Sequence, residues 1–155
     1  GIAQPTFHPQ RRRRHAPRAL PAFPRQAPAA GVPSAIMLLQ LLKSKLHRVE
    51  VTSADLEYEG SMAIDGECLE MAGILPYEKI LIVNNNNGAR IETYAIPAPR
   101  GSRVFCLNGA AARCGMAGDL VTIMTFAAMT REEAEAHKPP VILFRDHNRS
   151  IERKE

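Results

Sequence analysis

The sequence predicts a mainly β domain: a compact barrel of short strands carrying two or three small helices. Two observations point there. From Met37 onward, short alternating or apolar runs recur between turn signals rich in Gly, Pro and Asn. No stretch alternates strands with long helical patterns, which excludes a doubly wound parallel sheet, and no segment repeats. The length of 155 residues suits one such domain.

Taken in order, residues 46–51 alternate and are rich in strand formers. Residues 55–60 form a turn region that leads into a strand over 61–64. Residues 67–72 are a short helix that Gly73 ends at a C′ position. A strand over 79–83 runs into Asn84-Asn85-Asn86-Asn87-Gly88, a strong hairpin signal. Residues 89–96 return as a strand, alternating Ile91, Thr93 and Ala95. Residues 97–102 are a turn, 103–107 a strand, 109–114 a short Ala-rich helix or turn, and 119–126 a long apolar strand. Thr130 and Glu133 have capping-box spacing for a helix over 130–137. Residues 141–144 are the last strand, and residues 146–155, polar throughout most of their length, are expected to be a flexible tail.

Residues 1–36 differ from the rest. They hold seven of the 12 prolines, the tract Arg11 to Arg14, and no acid. Such a segment buries too little apolar surface to offset its ordering entropy, so a disordered basic extension is expected. Its composition suits a basic arm for nucleic acid or acidic lipid. It also suits a transit peptide, except that its prolines break the helix such a peptide needs. Globular patterning starts at Met37, the first methionine, so the extension reads as dispensable or as an upstream misreading of the start.

The formal charge of +4 belongs to this extension. Six of the 20 basic residues lie in it; the other 14 face all 16 acids, leaving residues 37–155 at a net −2. Cys68, Cys106 and Cys114 are odd in number and lack metal-ligand spacing, which argues against a disulfide framework and a zinc site. Reduced thiols in a cytoplasmic protein are expected. No apolar run approaches the ~20 residues of a membrane span, and no signal peptide is visible. Phosphate-loop, dinucleotide and α/β-hydrolase motifs do not occur.

The core strands carry Lys45, His47, Tyr58, Ser61, Arg90, Thr93, Tyr94 and Asn108. Singly, each has an ordinary reading. Lys45 and Arg90 suit a solvated face, His47 a hydrogen-bonded structural residue, the tyrosines half-buried rings with wet hydroxyls, and Asn108-Gly109 a turn. The pair Gly60-Ser61 has a second reading. A strained Gly-Ser bond with an aimed hydroxyl can cut itself.

The combination is more specific. The runs Lys45-Leu46-His47-Arg48-Val49, Ala54-Asp55-Leu56, Tyr58-Glu59-Gly60-Ser61, Ala72-Gly73-Ile74-Leu75, Asn87-Gly88-Ala89-Arg90, Thr93-Tyr94-Ala95-Ile96, Arg100-Gly101-Ser102-Arg103 and Asn108-Gly109-Ala110-Ala111-Ala112 closely resemble the pyruvoyl-dependent aspartate 1-decarboxylases. The match runs in order over about residues 37–145, leaving 1–36 as the extension and 146–155 as the tail. It departs from the family in that extension and at Pro97 and Pro99, which lie in a turn.

The resemblance implies a double-psi β-barrel, a homotetramer with active sites between subunits, and self-cleavage between Gly60 and Ser61. Ser61 would become a covalent pyruvoyl group that forms a Schiff base with L-aspartate, with no metal and no pyridoxal phosphate. Loss of CO2 would give β-alanine for pantothenate and coenzyme A synthesis in the cytoplasm. Tyr94 would donate the proton. Lys45, Arg90, Thr93, Gly109, Ala110 and Ala111 would bind substrate, and His47, Tyr58 and Asn108 would assist processing. Some members need a helper protein to mature. The dipeptide recurs at Gly101-Ser102, flanked by arginines in a turn, and the resemblance places no chemistry there. The competing reading is a non-catalytic barrel whose basic arm contacts nucleic acid. The net negative domain and the lack of an aromatic-plus-basic patch weigh against it, and no nucleic acid or membrane partner is expected.

Overall fold

The computed structural model describes residues 37–154, so the expectations for residues 1–36 lie outside it. The described chain runs β1 (Leu39–Glu50), β2 (Ser53–Asp55), β3 (Ser61–Asp65), α1 (Gly66–Ala72), β4 (Lys79–Asn84), β5 (Arg90–Ala98), β6 (Phe105–Asn108), a 3-10 helix (Gly109–Arg113), β7 (Leu120–Met129), α2 (Arg131–Ala136), β8 (Val141–Arg145) and β9 (Ser150–Lys154). The mainly β class holds.

Neighbouring strands pair in the order β2-β6-β3-β5-β4-β7-β1-β8-β9. Three pairs, β1 with β8, β2 with β6 and β3 with β5, are parallel and so need crossover connections rather than hairpins. The sheet rolls around one core. Phe105 on β6 and Phe144 on β8 are six places apart in strand order, about 29 Å in a flat sheet at ~4.8 Å per strand. Their rings nevertheless meet edge to face with centroids 5.4 Å apart. Leu46, Met62, Ile64, Ile80, Ile82, Ile123 and Ile142 fill the same interior. The rolled, crossover-connected sheet agrees with the double-psi barrel class, but hydrogen bonds do not close it: β2 and β9 stand at its two edges.

Local signals are met where they were strongest. Gly73 caps α1 in the left-handed region at φ 64°, and the Thr130–Glu133 capping box is complete. The Asn-rich turn closes with Asn84 N–H donating to the Ala89 carbonyl at 2.9 Å. Several features differ from expectation, among them an unexpected short strand, β2. β1 starts at Leu39 rather than at 46, because its added residues pair with β7 back to Met129. β5 runs through Pro97 to Ala98, where the turn was expected to begin, in parallel register with β3. Residues 146–154 do not form a loose tail. The buried Asn148 amide accepts from Glu50 N–H and donates to the Glu50 carbonyl, each at 2.8 Å, and β9 then pairs along β8.

Asp65 ties α1 to the turn before β6. Its shielded carboxylate accepts from the backbone N–H groups of Glu67, Gly101 and Arg103 at 2.9, 2.8 and 2.7 Å, and from the Arg103 guanidinium at 3.2 Å. Burial alone would raise its pKa; the three amides and the Arg103 charge outweigh burial and hold it below the usual carboxylate value. A depressed carboxyl pKa stabilises the fold fully above its unfolded value of about 4, and that contribution is lost as pH falls through the folded value. Urea midpoints measured from pH 7 down to pH 3 should therefore fall more steeply for the unmodified chain than for Asp65→Asn. Parallel pH profiles would contradict this role.

Candidate active site

The site forms where β3 begins and β6 ends. Ser61 lies opposite Asn108 in the antiparallel register of these strands. Both side chains are only 3% exposed, and Asn108 Nδ2 donates to Ser61 Oγ at 3.3 Å. Two consecutive residues hold positive φ, 105° at Gly60 and 101° at Ser61. Glycine adopts such values freely; a serine does so at a cost of about 1–3 kcal/mol.

Gly109 makes this path possible. A Cβ placed there would lie 2.8 Å from Gly60 Cα, 2.9 Å from Gly60 N and 2.9 Å from the Tyr58 carbonyl oxygen, all backbone atoms that cannot swing aside. Its own φ is 59°. The bare Cα of Gly109 is thus the surface on which the backbone leading into the Gly60–Ser61 peptide rests.

A cleft of about 260 Å³ opens beside that peptide, lined by Gly60, Ser61, Thr93, Asn108, Ala110 and Ala111, together with Ile91, Glu92 and Cys114. Six expected site residues thus share one cavity, with Gly109 behind them. Lys45, His47, Tyr58, Arg90 and Tyr94 do not line it. On β5 the alternation exposes Arg90 and Tyr94 while Ile91 and Thr93 are half-buried, which puts the two pairs on opposite faces. Arg90 Nη1 donates to the Gly88 carbonyl at 3.3 Å, and the Tyr94 ring lies 6.4 Å from that of Tyr77. On β1, His47 Nδ1 meets Thr122 Oγ1 at 3.3 Å. Burial, then the charges of Lys45, Arg48 and Lys154, lower the His47 pKa, so its ring is neutral near pH 7. Among the described residues, no Lys or Arg lines the cleft.

A larger cavity of about 440 Å³ lies elsewhere, between Arg48, Glu50 and the turn at Asp146–Arg149. It offers no hydroxyl beside a strained peptide, so the smaller cleft is the one that fits the self-cleavage expected from the sequence. Sequence reasoning missed Ile91, Glu92 and Cys114 in the cleft; for Ile91 the alternation with Thr93 was the available signal.

Residues 37–151 match the family model described as Aspartate decarboxylase. The chain belongs to the aspartate decarboxylase family. An aspartate 1-decarboxylase of Chlorobium limicola is 58% identical over 118 residues, 76% of this chain and 91% of that protein. One of Maricaulis maris is 54% identical over 115 residues, 74% of this chain and 95% of that protein. One of Lactiplantibacillus plantarum is 55% identical over 117 residues, covering 76% and 90%.

Within this family member the second Gly-Ser pair is built differently. Gly101 N–H donates to Asp65, Ser102 N–H closes a turn onto the Pro99 carbonyl at 3.1 Å, and Ser102 Oγ accepts from Val104 N–H at 3.3 Å. Its hydroxyl is engaged forward along the chain, and only the glycine of that pair has positive φ.

Gly109→Ala should displace the Gly60–Ser61 peptide and lower stability by about 1–3 kcal/mol, the usual range for overpacking. Gly101→Ala should cost less, because its added Cβ meets only a flexible Glu67 carboxylate oxygen at 4.0 Å. Urea denaturation of both variants checks the order; an equal loss would contradict it.

Proposed function

We propose that this chain cuts itself between Gly60 and Ser61 and that the mature protein converts L-aspartate to β-alanine and CO2, supplying pantothenate and coenzyme A synthesis. The observation that carries the reading is the strained Gly60–Ser61 peptide, its hydroxyl held by Asn108 at the wall of a cleft, in a member of this family.

Self-cleavage begins when Ser61 Oγ attacks the Gly60 carbonyl and its proton passes to a base. The C–N bond breaks, giving an ester at Oγ and a free amino group at Ser61. Elimination then releases Gly60 as a carboxylate and leaves a dehydroalanine at 61. Its imine tautomer takes up water and loses ammonia, leaving a pyruvoyl group at the head of the α chain; residues up to Gly60 become the β chain. Strain contributes only a few kcal/mol. Orientation of the hydroxyl is the larger effect, since well-placed intramolecular groups are worth roughly 7–11 kcal/mol. Asn108, Thr93, Tyr58 and His47 are assigned to assist this step.

The residues fit the group. Gly109 leaves room for the main chain to approach, and Ala110 and Ala111 keep the facing wall low. When formed, the pyruvoyl carbonyl supplies an electron sink for the charge left by departing CO2. The chain's own residues hold and protonate the substrate. The planar fork of Arg90 grips one carboxylate in bidentate fashion, and Lys45 supplies a second positive charge. Thr93 and the backbone of Gly109, Ala110 and Ala111 position the substrate, and the Tyr94 hydroxyl delivers a proton to the α carbon.

A dicarboxylate needs cations that the cleft of one chain lacks, while Arg90, Lys45 and Tyr94 lie outside it. This supports sites that form between copies; we assign the assembly as a homotetramer working in the cytoplasm, with a helper protein where maturation is slow.

Ser61→Ala should remain one chain and form no β-alanine. Tyr94→Phe should still cut but form β-alanine at least about 100-fold more slowly, the usual loss for a proton donor. Chromatographic detection of β-alanine alongside a denaturing gel reads both. Formation of β-alanine by Ser61→Ala would overturn the reading.

A further inference from the structure

Resting on the reading of Ser61 as the reactive hydroxyl, we propose that Cys106 is a positioning residue for self-cleavage, acting through Asn108. Asn108 is almost wholly shielded, so both ends of its amide need partners inside the protein. Nδ2 donates to Ser61 Oγ at 3.3 Å. At the other end, Oδ1 accepts the Cys106 thiol, whose Sγ is 3.2 Å away. Cys106 and Asn108 are two residues apart on β6 and share a face; Leu107 between them points into the core.

The two ends of an amide are chemically opposite, and their partners decide which end faces which. A thiol donor beside Oδ1 turns the NH2 end toward Ser61. In that orientation Ser61 Oγ accepts a hydrogen bond, so its own proton is free to leave and the charge that builds on oxygen is stabilised. With the amide reversed, Ser61 would donate its proton to Oδ1, tying up the hydrogen that must depart. Cys106 therefore sets the polarity of the contact without touching the reacting atoms. Cys68 behaves differently: burial pushes its thiol up to about 12, and it packs beside Arg103 away from the cleft.

The test compares the rate at which freshly purified full chain turns into two fragments. Cys106→Ser keeps a donor and should cleave within about twofold of the unmodified chain. Cys106→Val removes the donor at similar volume and should slow cleavage about five- to tenfold, as loss of one hydrogen bond does. In an Asn108→Ala background Cys106→Val should add nothing, because the amide through which it acts is gone. The proposal is overturned if Val cleaves as fast as the unmodified chain, if Ser slows as much as Val, or if Val slows both backgrounds equally. Should Val fail to fold by thermal unfolding, Cys106→Ala replaces it under the same criteria; should Asn108→Ala be too slow to read, the Ser and Val contrast decides. If the unmodified chain never cleaves, it is the reading of Ser61 that fails, and this inference with it.

Discussion

The contact between Gly109 and the backbone of Tyr58 and Gly60 is the constraint on which the site depends. Three backbone atoms lie 2.8 to 2.9 Å from where a Cβ would sit, so any side chain at 109 would push the backbone that leads into the Gly60–Ser61 peptide off its path. On that path Ser61 holds a φ of 101°, which its own preferences oppose. The strain of about 1–3 kcal/mol is sustained by the rest of β3. Met62 and Ile64 are fully buried, each worth roughly 1.5–3 kcal/mol, and β3 is paired on both sides, to β5 and to β6. The strained residue is therefore the first link of a strand that the core does not release.

The rolled sheet explains why the cleft has the composition it has. Ser61 comes from β3, Thr93 from β5 and Asn108 from β6, three strands that are neighbours in the sheet although they are distant in sequence. Together they line one cleft with a hydroxyl, an amide and a second hydroxyl beside a small-residue wall. Arg90 and Tyr94 alternate with Thr93 along β5 and stay out of the cleft, as do Lys45 and His47 on β1. If Arg90, Lys45 and Tyr94 hold and protonate the substrate as proposed, one chain does not bring them to its own cleft, which is the physical argument for assembly.

Much of this was legible in the sequence, for identifiable reasons. Gly73 and the Thr130–Glu133 pair signal caps through local hydrogen bonding, and the Asn-rich turn through its tolerance of positive φ. Six of the nine residues lining the cleft were named through eight short runs in register rather than through any single pattern. Other features carried no local signal. β2 is three exposed residues, and β9 offers only Ile151 to a buried face, so neither shows strand periodicity. The Asn148 contact that secures β9 joins positions 98 residues apart. Positive φ at Ser61 has no propensity behind it, since the surrounding fold imposes it. The separation of Thr93 from Arg90 and Tyr94 was readable in principle, from the two-residue period of a strand.

The central claim is that the fold around Gly60–Ser61, and not the dipeptide, makes that bond reactive. Intact-mass measurement of the purified, denatured protein tests it most directly, because the chain contains the same pair at Gly101–Ser102. The account predicts two fragments with the boundary between residues 60 and 61, the second blocked at its start and lighter by one ammonia than a serine-headed chain, and no cut between 101 and 102. A single uncut mass after prolonged incubation, or cleavage at both pairs, would contradict it.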